Sequence, residues 1–133
     1  MQKNKKKINY IENALIYKYF DFKTRASRIE FFMFTMFKKF SLDFVRQSGN
    51  FLFYGIIFLI LLCPSYAVTV RRFHDMNLSG WWVLLLEICV GTLTYIFFKE
   101  DYFVIFLISL ILVLMLSLIP GSKGKNKYGE LEK

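Results

Sequence analysis

The sequence predicts an all-α integral membrane protein: a four-helix transmembrane bundle of two hairpins, preceded by an N-terminal amphipathic helix at the membrane interface. Three observations carry that reading. First, 56% of the 133 residues are apolar and 20% are aromatic, against about 45–50% apolar in soluble domains. A soluble domain this small hides only about 60–70% of the surface its unfolded chain exposes, so this much apolar surface calls for lipid. Second, the apolar residues fall in runs of span length divided by short polar stretches. Third, the 18 basic residues, for a net charge of +8, gather at the two ends and in one central stretch. Membrane topology imposes that distribution. A soluble nucleic-acid binder shows a basic face without such oily neighbours, so no nucleic-acid partner is expected.

By length the chain is one domain. Residues 1–7 read as a Lys-rich tail and 8–133 as a single membrane domain. No cleavable signal peptide is expected, because the basic opening is followed by an amphipathic segment rather than an apolar core. Ile8, Ile11, Leu15 and Tyr19 recur at helical spacing, which predicts a surface helix over about 8–20. The following aromatic stretch suits the headgroup zone.

Phe51–Val70 gives 20 residues without Asp, Glu, Lys or Arg, about 30 Å of helix, which matches the hydrocarbon thickness. Residues 81–98 carry one charge, Glu87, and 102–119 are apolar apart from two serines and the Tyr102 hydroxyl. Lys99, Glu100 and Asp101 make the turn between them. Residues 29–47 are harder to place, because Lys38, Lys39, Asp43 and Arg46 interrupt an otherwise strong span. They form either a fourth span with a polar seam or an interfacial helix. Four spans leave fourteen basic residues inside and two outside, whereas three leave twelve and six. The positive-inside bias therefore favours four, with both termini cytoplasmic and residues 120–133 a cytoplasmic tail.

Charges inside a membrane cost roughly 2.5–3.5 kcal/mol each on insertion scales, so each needs a partner or a purpose. Lys39 or Lys38 is expected to pair with Glu87. Alternatively the lysines reach for an interface while Glu87 bonds Tyr66 or a backbone carbonyl. Pro64 removes a hydrogen bond to the Ile60 carbonyl and should kink its helix, with Ser65 available to satisfy the freed group. Cys63 and Cys89 lie in apolar runs, read as small buried hydrophobes able to face each other.

Three polar stretches fall on the cytoplasmic side in this topology: residues 21–30, 70–82 and 120–130. Phe22, Arg25, Arg28 and Phe31 open the first. Pro64, Arg71, Arg72, His74, Asp75, Ser79, Gly80, Trp81 and Trp82 run through the second. Gly121, Gly124, Asn126, Tyr128 and Gly129 mark the third. In this order they resemble the family of small bacterial inner-membrane proteins known as domain of unknown function 805. The resemblance covers roughly Tyr19 to Glu130. It departs from the family pattern where Thr24 stands for glycine, where Phe73 stands for leucine, and in the charges of the first span. The resemblance implies a helical membrane fold in the bacterial inner membrane. It implies no activity.

Two roles are open to Arg25, Arg28, Glu30, Arg71, Arg72, His74, Asp75, Asn126 and Tyr128. The arginines suit anionic lipid headgroups or acidic partner groups, which their forked donors bind bidentately. Alternatively Glu30 and Asp75 neutralise them and lock the helix ends together, with the tail folded back in a turn. His74 beside Asp75 invites a catalytic reading, but there is no second histidine, no nucleophile elbow and no three-ligand metal set. The expectation is a non-enzymatic membrane component with no cofactor or metal. It would meet anionic lipids, with a protein partner or a second copy also open. The alternative is a small oligomeric transporter or channel component that uses Glu87, Lys39 and the Pro64 kink. Lys38, Lys39, Asp43 and Glu87 are its intramembrane polar set.

Overall fold

A computed structural model describes residues 9–98 and 101–130. The basic tail over 1–7, Ile8 and most of the expected Lys99–Asp101 turn lie outside the described residues. Among those described, all regular elements are helices: α1 (Tyr10–Glu12), which continues as a π-helical turn (Asn13–Tyr17), α2 (Arg28–Gln47), α3 (Phe51–Asp75), α4 (Trp81–Phe98) and α5 (Tyr102–Leu118).

Local chemistry sets their ends. The Ser27 side chain accepts from the Glu30 N–H at 3.1 Å and starts α2. Asn50 does the same for α3 through Phe53, and Asp101 for α5 through Val104. Such caps satisfy amide donors the first turn leaves unpaired. At the end of α3, Asn77 adopts φ 61° while Leu78 N–H reaches the Phe73 carbonyl and Asn77 N–H the His74 carbonyl. That is a Schellman closure with Asn in the left-handed position. Ser79 is a weak cap for α4, its hydroxyl 3.5 Å from the Trp81 N–H.

α2 and α3 form an antiparallel hairpin, and α5 runs parallel to α3 against α2. α4 rests chiefly on α3. Buried Ala14, Phe31, Phe34 and Val68 make the core, with Leu15, Val113 and Leu116 packed on it. α4 supplies none of these. Val83 is buried and Leu86 half-buried, but Trp81, Leu85, Ile88, Leu93 and Ile96 are exposed. Among the described residues, only α3 is both long and apolar enough to cross a membrane by length and composition.

Two features differ from the sequence reading. The segment expected as a helix over 8–20 is a single α turn and a π turn, and it packs on α2 and α3 through Ala14 and Leu15. Its other side, Ile16, Tyr17 and Phe20, is apolar and exposed. Helical spacing was legible, but the packing partner was not. Second, the Ile60 carbonyl left free by Pro64 accepts the Tyr19 hydroxyl at 2.7 Å, while the Ser65 hydroxyl serves Lys38 instead. α3 continues through Pro64 as helix, and the incoming chain carries the compensating donor.

Candidate functional site

The polar stretches meet where α2 begins, α3 ends and the segment after α5 returns. Asp75 is the hub. Its Oδ1 accepts from Arg25 Nη2 at 2.7 Å and Nε at 3.0 Å, and its Oδ2 accepts from Arg72 Nη1. Arg25 also donates to the carbonyls of Ser122, Gly124 and Gly129. Arg72 donates to those of Leu116 and Ile119. Arg71 Nη1 pairs with Glu30 Oε1 at 2.7 Å, while its Nε and Nη2 have no hydrogen-bond partner. Arg71 and Arg72 are 0% exposed and Arg25 2%.

Local sequence explains how these groups converge. Arg71, Arg72 and Asp75 share the last turns of α3, where spacings of three and four bring side chains together. Glu30 sits in the first turn of α2 and meets Arg71 across the hairpin. The chain lead-in is pinned by the Ala26 N–H on the Arg71 carbonyl at 3.1 Å. After α5, the Ser122 N–H and hydroxyl both donate to the Asp75 carbonyl, at 2.7 and 2.9 Å. A Cβ at Gly121 would stand 1.8 Å from Asp75 Oδ2, so only glycine lets the tail come this close.

His74 does not face a partner for proton transfer. Its Nδ1 lies 3.3 Å from the Thr24 carbonyl, and its ring stacks on Tyr128 at 3.7 Å. The adjacent Asp75 carboxylate is occupied by the two arginines, so the two side chains diverge. Asn126 donates to the His74 carbonyl and to Ser122, and its side-chain oxygen accepts from the Tyr128 N–H. Asp21 closes the lead-in turn. Burial would raise its carboxyl, but hydrogen bonds from the Thr24 hydroxyl and the Lys23 and Thr24 amides hold it below the usual carboxylate range.

Of the nine residues read as binding or latching, eight assemble here. Arg28 does not join them; it is exposed at the rim with Lys23, Lys123, Lys125 and Lys127. Sequence reasoning missed Ser122, Tyr19 and the five carbonyls that receive Arg25 and Arg72. Backbone acceptors carry no sequence signal. Tyr19 had one, since a buried proline calls for a replacement donor.

The polar set expected inside the membrane divides. Lys39 bonds Ser109 and lies 4.0 Å above the Phe106 ring on α5, so it does not turn toward Glu87. Its contacts are with α5 rather than α4. Lys38 donates to Ser65 at 2.6 Å, and Glu87 accepts from the Tyr66 hydroxyl. Lys38, Ser65, Tyr66 and Glu87 line one cavity. Asp43 is half-buried on α2. Cys63 and Cys89 are both free thiols; Cys63 contacts the Tyr19 carbonyl and Cys89 is exposed on α4. Among the described residues no three His, Cys, Asp or Glu gather to hold a metal.

Fold and site together define a helical protein whose motif residues form a buried ion-pair cluster binding three chain segments. The chain belongs to the family described as "Protein of unknown function (DUF805)", whose model matches residues 19–130. It is 26% identical over 121 residues to inner membrane protein YhaH of Escherichia coli K12, covering 84% of this chain and 86% of that one. It is 32% identical over 83 residues to the uncharacterized protein YiiR of the same organism, covering 53% of each. No solved structure matches.

Proposed function

We propose that this chain is a non-enzymatic, multi-pass component of the bacterial inner membrane. In this reading α2 to α5 cross the bilayer and both termini are cytoplasmic. The buried Arg25–Asp75–Arg72 and Arg71–Glu30 pairs act as a latch that fixes the helix ends and the tail. The latch presents an outer rim of Lys23, Arg28, Lys123, Lys125 and Lys127, and that rim holds anionic lipid headgroups.

The observation that carries it is the separation of the basic residues by burial. The motif arginines are sealed and paired, whereas the five rim bases at the same end are exposed. A guanidinium at 0% exposure is a poor headgroup ligand; an exposed lysine near a bilayer gains about 1 kcal/mol from anionic lipid. A relative named as an inner membrane protein supports the location. So do the exposed apolar flanks of α3, α4 and α5, which suit lipid contact. α4 and α5 have 18 and 17 residues, about 26–27 Å, at the short end of span lengths.

Lipid retention tests this. The protein, purified in a mild maltoside detergent, is offered equal phosphatidylglycerol and phosphatidylcholine, and bound lipid is counted by native mass spectrometry. Changing all five rim bases to Gln should leave folding intact and abolish the preference for phosphatidylglycerol. An unchanged preference in the folded rim variant would remove the rim from the account.

A further inference from the structure

Apart from the latch, the most chemically unusual place in the molecule is the cavity between α2, α3 and α4. It has a volume of about 220 Å³, is lined by Lys38, Ser65, Tyr66 and Glu87 among apolar side chains that include Leu42 and Phe58, and opens to the surface where Glu87 and Phe58 are exposed. That is roughly seven times the ~30 Å³ share of one liquid water. Two opposite charges border it. Each is bonded to a neutral hydroxyl: Lys38 Nζ to Ser65 and the Glu87 carboxylate to Tyr66. An ammonium has three donors and a carboxylate several acceptor sites, so both retain capacity toward the space they share.

The cavity is also graded along its length. α2 runs away from the latch and α3 runs toward it, so Leu42 lies about 6 Å farther from the latch than Lys38, and Phe58 about 10 Å farther than Ser65. The polar groups occupy the latch side and the apolar ones the far side. On the membrane-spanning reading proposed above, Lys38 is about 15 Å of helix beyond Arg28, where a charge is costly. It has Ser65 as a hydrogen-bond partner and Glu87 as its opposite charge. Lys38 and Glu87 already offset one another; a zwitterion keeps both charges matched, whereas a ligand with a single charge would disturb that balance.

The geometry points to a binding site for a small zwitterion with an apolar body: an acidic oxygen group to Lys38, an amine to Glu87, and the apolar part against Leu42 and Phe58. That chemistry has two sources. One is a free apolar α-amino acid, which joins its carboxylate and amine through one carbon. The other is the phosphoethanolamine head of a membrane lipid. The site is separate from the latch and its rim, and neither depends on the other.

Binding to the full chain in maltoside micelles decides the matter. Equilibrium dialysis with labelled L-leucine forms one arm, and native mass spectrometry with short-chain phosphatidylethanolamine the other. Saturable binding of one molecule per chain in either arm is the expected result, and the arm that binds names the source. Lys38→Met and Glu87→Gln should each weaken it at least tenfold, and Lys39→Met should leave it unchanged. Should Lys38→Met not fold, Leu42→Trp, which fills the apolar end, must abolish binding. Folded wild-type protein that binds neither probe overturns the assignment. So does binding that none of the cavity variants alters.

Discussion

The two ends of α3 handle polarity in opposite ways. At the Asp75 end, three arginines, two carboxylates and a histidine are buried almost completely, and the arginines pair with carboxylates or main-chain carbonyls. Toward Phe51, charge is sparse and large apolar side chains such as Phe51, Leu52 and Leu59 are exposed. Burying charge is tolerable only where partners are built in. Apart from Arg72 and Asp75, three residues apart on α3, those partners come from segments 41 to 104 residues apart, so forming the pairs also determines where the tail goes. The apolar half has sparser ties, among them the Tyr19–Ile60 and Lys39–Ser109 hydrogen bonds, and α4 rests lightly on its neighbours.

The largest effect that would break this contrast falls on the hub. Asp75→Asn removes the shared charge of Arg25 and Arg72 and should cost about 3–5 kcal/mol, the range for stripping one partner from a buried pair. Reversible unfolding in detergent checks it. Gly121→Ala should follow at about 1–3 kcal/mol, because the added methyl must push Asp75 or the tail aside. Increased proteolysis of the tail would accompany it. At the apolar half, Tyr19→Phe leaves the Ile60 carbonyl without its donor and should cost about 0.5–1.5 kcal/mol. The cost should shrink in a Pro64→Ala background, where residue 64 regains its N–H.

The smallest effect is one of pH. Asp21 has its carboxyl depressed in the folded protein, so its contribution is present above the unfolded value of about 3.8. It is lost as pH falls through the lower folded value. Asp21→Asn should therefore narrow the difference in melting temperature between neutral pH and pH 3. Equal acid sensitivity in the two proteins would show the turn to be irrelevant.

Much of this was legible in the sequence, for reasons that differ by region. α2, α4 and α5 begin and end within a residue of the apolar runs, because hydrophobic length and capping residues set them. α3 continues five residues past Val70, through Arg71 to Asp75. Charge looked like a stop signal there, since the partners that make it buriable lie in other segments. The motif residues announced a cluster, but headgroup binding and latching demand the same residue types. Only burial separates sealed Arg71 from exposed Arg28. Of the partners left open for Glu87, Tyr66 holds it and Lys39 does not, because helix periodicity gives a face and not the neighbour that occupies it. Ser109 and Phe106 hold Lys39, and Lys38 takes the place facing Glu87.

Whether the motif arginines are structural is best asked of Arg71 and Glu30, since Arg71 leaves two buried donors without partners. A double-mutant cycle of Arg71→Met and Glu30→Leu, read by reversible unfolding in detergent, isolates the pair. Each single change should cost about 3–5 kcal/mol, and the double variant should recover most of that loss. A double variant whose cost equals the sum of the singles would contradict the latch.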